Sequence, residues 1–264
     1  MISPWGKLSF VDGRLVAEQS LVAHCRDVAA VLVALVETPI VAERLARLSG
    51  RGRLDPVTIA RLGWIAHLHD AGKTNAGFQR RRDPTAPMVG HIAPLAALCG
   101  EAASERLGAV AEEALALDRL IDWGGAAVID LFEAALSHHG RPWPHDRDVR
   151  RDESHWRAAD GYDPLAALAD LRCDADAMFP AALDGGLPMP NSAAFVHAFA
   201  GLVQIADWLA SADWREPKSD DDRPGWARRL VAAVGLDGRV PRAVLDGRSR
   251  DFRDLFGFPP RAAQ

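Results

Sequence analysis

The sequence predicts a mainly α-helical domain with one small N-terminal hairpin. Three observations carry that prediction. Apolar residues recur at three- and four-residue spacing through most of the chain. Cap-then-proline pairs, Asp55-Pro56 and Asp163-Pro164, mark helix starts. Only residues 7–17 carry a strand-and-turn signal, with Asp12-Gly13 between two short apolar runs.

From Ser20, a candidate N-cap, the residues Leu21, His24, Val28, Val31 and Leu35 fall on one helical face, and Pro39 breaks the pattern. Asp55-Pro56 opens a second helix in which Ile59, Leu62, Ile65, Ala66 and His69 share a face before Gly72. Residues 71–89 read as a polar, glycine-containing loop. Residues 91–100 resume a helical pattern with His91 at its beginning, and Val128, Leu131, Ala135 and His138 mark another inward stripe. Asp163-Pro164 starts one more helix. Asn191-Ser192 precedes the longest apolar helix, with Val196, Ala200, Val203, Asp207 and Ala210 on one side. The charged, proline-containing stretches 142–160 and 215–224 read as loops inside one domain.

At 264 residues, 48% hydrophobic and 25% charged, the chain is long enough to bury a core without disulfide or metal staples. Its three cysteines, Cys25, Cys99 and Cys173, form no C-x-x-C pair, which argues against a disulfide framework or a thiolate zinc site. The N-terminus lacks a signal-peptide pattern and the apolar stretches are interrupted by charge, so the expectation is a cytoplasmic protein with no membrane partner. The formal net charge of -5 argues against general affinity for nucleic acid but leaves a local groove open. Lysine is scarce: Lys7, Lys73 and Lys218 stand beside 28 arginines.

Ionisable residues on apolar stripes need partners, because burying them alone is costly. Taken singly, His24 reads as a hydrogen-bonded core histidine, His138-His139 as a complement to a helix dipole, and Asp207 as a partner for an arginine. Together His24, His69-Asp70, His91, His138-His139 and Asp207 read as a metal centre. Imidazole and carboxylate without thiolate suit manganese, iron, cobalt or nickel better than magnesium, and the set is large enough for two such ions. Lys73, three residues after the His-Asp pair, cannot ligate as an ammonium and reads as a contact for phosphate or developing charge, or else as a solvated helix-end lysine. Arg80, Arg81, Arg82 and Arg141 add positive charge beside these motifs. Trp208 and Trp214 read as packing residues, with stacking on bases as the alternative. His67, His145, His155 and His197 lack a motif context.

Trp5-Gly-Lys7, His24, HDAGKTNAGFQ (69–79), His91, SHHGRP (137–142) and ADWLAS (206–211) together resemble the HD hydrolase superfamily, and within it the HD nuclease domain of the CRISPR type I helicase-nuclease. The resemblance implies an HD-domain helical bundle over residues 1–251. It implies one ion held by His24, His69, Asp70 and Asp207, and a second by Asp70, His91, His138 and His139, with Asp70 bridging. Residues 252–264, FRDLFGFPPRAAQ, resemble the glutamine motif that opens a superfamily 2 helicase domain, or else form an exposed tail. The implied function is metal-dependent endonuclease or exonuclease cleavage of single-stranded DNA in CRISPR interference. Catalysis would rest on Asp70 and Lys73. The implied partners are a helicase, in the same longer chain or a separate subunit, and an RNA-guided surveillance complex. The competing readings are an HD-family nucleotide phosphohydrolase and a catalytically weak module that recruits a helicase or guide complex.

Overall fold

A computed structural model describes residues 3–99, 105–140, 153–212, 214–216, 218–238 and Arg253. The tail motif at 252–264, except Arg253, and Arg141, Pro142, His145 and Asp213 lie outside the described residues.

Strands β1 (Trp5–Val11) and β2 (Arg14–Ser20) pair antiparallel, and Asp12 and Gly13 form the turn. Both have positive φ, 50° and 75°, as a two-residue turn matched to strand twist requires. The register slips between Trp5 and Lys7: Trp5 pairs with Ser20 and Lys7 with Gln19, so Gly6 is an extra residue in β1.

Helix α1 (Leu21–Val36) follows directly. Ser20 caps it by accepting a hydrogen bond from the Ala23 N–H, and 12 of its 16 residues are buried. A helix apolar nearly all round belongs in the centre of a bundle, and α1 packs against α3 (Pro56–His67), α10 (Ala193–Ala212) and α11 (Arg223–Ala233). Asp55 caps α3 through the Thr58 N–H, with Pro56 in the first turn. Pro39, expected as a break, opens the short helix α2 (Pro39–Leu48).

Residues 71–89 depart from the expected polar loop. A 3-10 turn (Ala71–Thr74), helix α4 (Ala76–Gln79) and a second 3-10 turn (Arg80–Arg82) fill the first part of the segment. Residues 71–79 are all buried, continuing an unbroken buried run from Arg61. Polar side chains there are tolerated because they bond to backbone: Asn75 Nδ2 donates to Gly72 and Gly90 carbonyls, and Gln79 Nε2 donates to those of Trp5 and Lys73.

Helices α5 (Ile92–Cys99), α6 (Glu105–Leu115), α7 (Leu117–Asp122), α8 (Ala126–Leu136) and α9 (Pro164–Met178) complete the bundle before α10. By length and composition α10 could cross a membrane, but it packs against α1 and α8 in the core. Its buried stripe is Phe195, Phe199, Val203, Ala206, Asp207 and Ala210, rotated from the expected one, since Val196 and Ala200 are only half-buried. The stretch 215–224, read as a loop, leads into α11. That helix is anchored by ions as well as apolar packing: Arg223 Nε donates to Asp27 of α1 at 2.8 Å.

Candidate metal centre

The helix ends place seven histidines and aspartates around one point of the fold. His24 comes from the first turns of α1, His69-Asp70 from the turn after α3, and His91 from the residue before α5. His138-His139 follow α8, and Asp207 comes from α10. His24, His69, Asp70, His138 and Asp207 are buried, His91 is half-buried and His139 is exposed.

The donor atoms fall into two groups, each compact enough to share one ion: Asp70, His91, His138 and His139, and His24, His69 and Asp207. Asp70 lies between them. Its Oδ2 is 3.1 Å from His24 Nε2 and 3.2 Å from His69 Nε2, while its Oδ1 is 3.4 Å from His91 Nε2 and 3.7 Å from His138 Nε2. Asp207 Oδ1 is 3.3 Å from His24 Nε2 and 4.0 Å from His69 Nε2. His91 and His139 bring their Nε2 atoms to 3.2 Å.

Two contacts set the ring orientations. His69 Nδ1 donates to the Ala66 carbonyl and His138 Nδ1 to the Ala135 carbonyl, both at 2.9 Å. A carbonyl can only accept, so each Nδ1 carries the proton and each Nε2 presents a lone pair to the cluster.

The ionisation states suit ligation. Burial, chiefly, lowers the histidines: His91 to about 4, His138 to about 3, and His24 and His139 below the ordinary range. Burial alone would raise Asp70, but Lys73, His69 and His24 hold it well below the usual carboxylate range. Asp207 is likewise held low against burial by His24 and His69. Neutral imidazoles and ionised carboxylates are the forms a cation requires.

The fit to a cation rests on unsatisfied atoms. His24 Nδ1 and Nε2, His69 Nε2, His138 Nε2 and both Asp70 oxygens are buried without aligned hydrogen bonds, despite their short separations. Buried polar atoms are rarely left so. The Nε2 atoms among them and the two Asp70 oxygens come together at the cluster, with Asp70 3.1–3.7 Å from four imidazoles, which suits a pair of divalent ions.

Lys73 is buried, not solvated. Its Nζ is 2.6 Å from Asp70 Oδ2 and donates to the Gly6 carbonyl at 3.2 Å. Arg82 pairs with Glu18 and Arg81 stacks over Phe78, so these two arginines secure the hairpin and the 71–82 segment. Trp208 is 62% exposed, against the expectation of packing, and Trp214 is half-buried with Arg215 over its ring. His67 turns away from the cluster, as its spacing from His69 implies, and its Nε2 lies 2.8 Å from Asp174. Against burial, His67 and Arg26 lower Asp174 to about 2.

The sequence reading gives no site role to Lys7, Trp5 or Gln79, and takes Ser211 as a group supporting the site or the helix end. Lys7 Nζ lies 3.5 Å from Asp207 Oδ1, and Ser211 Oγ donates to the same oxygen at 3.0 Å. Trp5 N and Nε1 donate to Gln79 Oε1 and its carbonyl, at 2.9 and 3.0 Å, fastening β1 to the segment that carries Asp70. The scarcity of lysine was the available signal for Lys7, and the i, i+4 spacing the signal for Ser211.

Gly72 is where the segment presses on His91. A Cβ built there would sit 2.0 Å from the His91 carbonyl oxygen and 2.8 Å from its carbon. Gly72→Ala is expected to lower stability by about 1–3 kcal/mol through overpacking and to displace His91. Urea unfolding, with metal content on the same preparation, checks both effects. Unchanged stability and unchanged metal content would contradict the packing argument.

A family profile described as "Cas3, HD domain" matches residues 5–214. Among solved structures, one described as a CRISPR-associated protein superposes with a TM-score of 0.63 at 21% identity, over 97% of this chain and 29% of its own. The chain thus spans less than a third of that protein. A Thermus thermophilus cas3 HD domain, crystallised in the presence of Ni2+, matches with a TM-score of 0.52 at 25% identity, over 81% of this chain and 82% of its own. A chain from a CRISPR RNA-guided surveillance complex in a pre-nicking state matches with a TM-score of 0.51 at 20% identity, over 93% of this chain and 29% of its own. Curated proteins give no match.

Proposed function

Because the chain belongs to the family of Cas3 HD nuclease domains, we propose that it hydrolyses phosphodiester bonds of single-stranded DNA in CRISPR interference, using two divalent transition-metal ions. The observation that carries the proposal is the placement of Asp70: each of its two oxygens faces a different group of imidazoles.

His24, His69 and Asp207, with one Asp70 oxygen, would hold one ion, and the other Asp70 oxygen with His91, His138 and His139 the second. Ions held there would supply Lewis acidity, lowering the pKa of water and offsetting charge on the attacked phosphate. The protein does the rest by position. Asp70 sets the spacing of the two halves, and the Nδ1–H bonds of His69 and His138 keep their rings from rotating. Lys73 keeps an ammonium against Asp70, where it offsets carboxylate charge and favours an incoming anion. Two divalent ions would also shift the formal net charge from -5 to -1.

We place the protein in the cytoplasm. A helicase, in the same longer chain or a separate subunit, would deliver the single strand, with an RNA-guided surveillance complex upstream of it. The structural neighbour from a CRISPR RNA-guided surveillance complex supports the second of these partners.

Metal removal tests the reading. Nuclease activity on single-stranded DNA should disappear with chelator and return with manganese, cobalt or nickel more readily than with magnesium, given the imidazole-rich donors. Equal or better activity with magnesium alone would contradict the ligand argument. Hydrolysis of mononucleotides by a protein inert toward DNA would favour the phosphohydrolase alternative.

A further inference from the structure

We propose that Lys7 is a substrate-binding residue whose ammonium contacts a DNA phosphate beside the metal cluster, an assignment that rests on the nuclease reading above.

Three observations carry it. The first is how Lys7 is aimed. In an uninterrupted strand, Trp5 and Lys7 would share a face. The bulge at Gly6 breaks that alternation, and bulges of this kind redirect side chains. Trp5 stays locked on Gln79 and stacks on Phe78 at 4.5 Å, whereas Lys7 reaches Asp207 of α10. Gly6 sits close against α1: a Cβ there would meet His24 Cβ at 3.0 Å and the Leu21 Cα at 3.1 Å, so a larger residue would crowd the bulge. The same residue offers its carbonyl to Lys73. The hairpin is therefore built against the cluster, and Lys7 is held at its edge.

The second is the contrast between the two lysines. Lys73 is fixed, with its side chain 8% exposed, its ammonium 2.6 Å from Asp70 and a backbone carbonyl as second acceptor. Lys7 is 24% exposed and touches Asp207 Oδ1 at 3.5 Å. A long, solvent-accessible contact of this kind contributes little to stability. Its ammonium detaches at small cost and can swing on its four-carbon stem.

The third is charge balance. Asp207 Oδ1 is the oxygen that faces His24 and His69, so a bound cation takes up the charge that now balances Lys7. An ammonium left beside a cation is repelled unless an anion joins them. A phosphodiester oxygen meets that need, and the solvent-facing side of Lys7 is where it would enter.

The test uses nickel-loaded protein and a short fluorescein-labelled oligothymidylate, with binding read by anisotropy on ice and gels confirming that the probe stays intact. For Lys7→Ala, binding should weaken several-fold, and the slope of log affinity against log salt should become shallower by about 0.7, the loss of one phosphate contact. In warm assays KM should rise more than kcat falls, nickel content should match wild type, and Lys7→Arg should recover most of the binding. Wild-type affinity and slope in Lys7→Ala would overturn the assignment. Loss of nickel from Lys7→Ala would overturn it too, because the lysine would then support the metal site. A wild type that neither binds nor cuts the strand would overturn the nuclease reading and this assignment together.

Discussion

Asp70→Ala should reduce nuclease activity to background, a loss of about 10³-fold or more, and should strip the protein of most of its metal. Its two oxygens approach four histidines from four separate segments of the chain, two from each donor group. Removing it also leaves the buried Lys73 ammonium without its carboxylate, a change that costs stability in its own right. Asp70→Asn keeps the shape while removing the charge, and separates loss of ligation from loss of fold. Metal analysis and circular dichroism on both variants complete the measurement. Lys73→Ala is the contrasting case: turnover should fall while metal content stays near wild type, since the lysine is a cation and not a ligand. An Asp70→Ala protein with full metal content would refute the bridging role, and a Lys73→Ala protein without metal would make the lysine structural.

How far the sequence reveals such a site depends on where each residue sits. His24 and Asp207 are legible because they interrupt apolar stripes whose 3.6-residue period is clear on both sides, between Leu21 and Val28 and between Val203 and Ala210. His69, His91, His138 and His139 stand at helix ends, where turn signals locate them to within a residue or two. Lys7 is different. A period-two reading places it beside Trp5, and the register shift at Gly6, which lies close against α1, breaks that alternation. The 71–79 segment misleads for a similar reason. Its Lys, Thr, Asn and Gln look like a solvated loop, yet each is buried, and every acceptor that satisfies them lies in the backbone or on Asp70.

The ionic chain under α11 is also invisible locally. His67, Asp174, Arg26, Asp220, Arg223 and Asp27 pair in turn through space, joining α3, α9, α1 and α11, and four of the five pairings span more than a hundred residues, Asp220 and Arg223 being local. Each member alone is an ordinary charge on a helix or, for Asp220, in the turn before α11. Their pairing follows from the bundle topology, which periodicity does not specify.

The second large effect concerns the form of the DNA. Asp70 is 1% exposed and His138 is 3% exposed, so a scissile phosphate must come down to a recessed cluster rather than lie across a flat face. Duplex DNA is stiff, with a persistence length of about 150 base pairs, and bending it sharply costs several kcal/mol. A single strand bends freely and can present one phosphate at a time. The 264 residues contain no GxxxxGK[ST] phosphate-binding loop with which to drive strand separation by ATP. This chain alone is therefore expected to degrade single-stranded DNA, including circles without free ends, and to leave matched duplex largely untouched with or without ATP. Supplying the cognate helicase, ATP and a target-bound guide complex should expose the duplex to cleavage. The assay compares single- and double-stranded DNA of one sequence, with the Asp70→Ala protein controlling for contaminating nucleases. Equal cutting of both forms by the wild type would sink the delivered-strand model, and failure on circles would restrict the activity to strand ends.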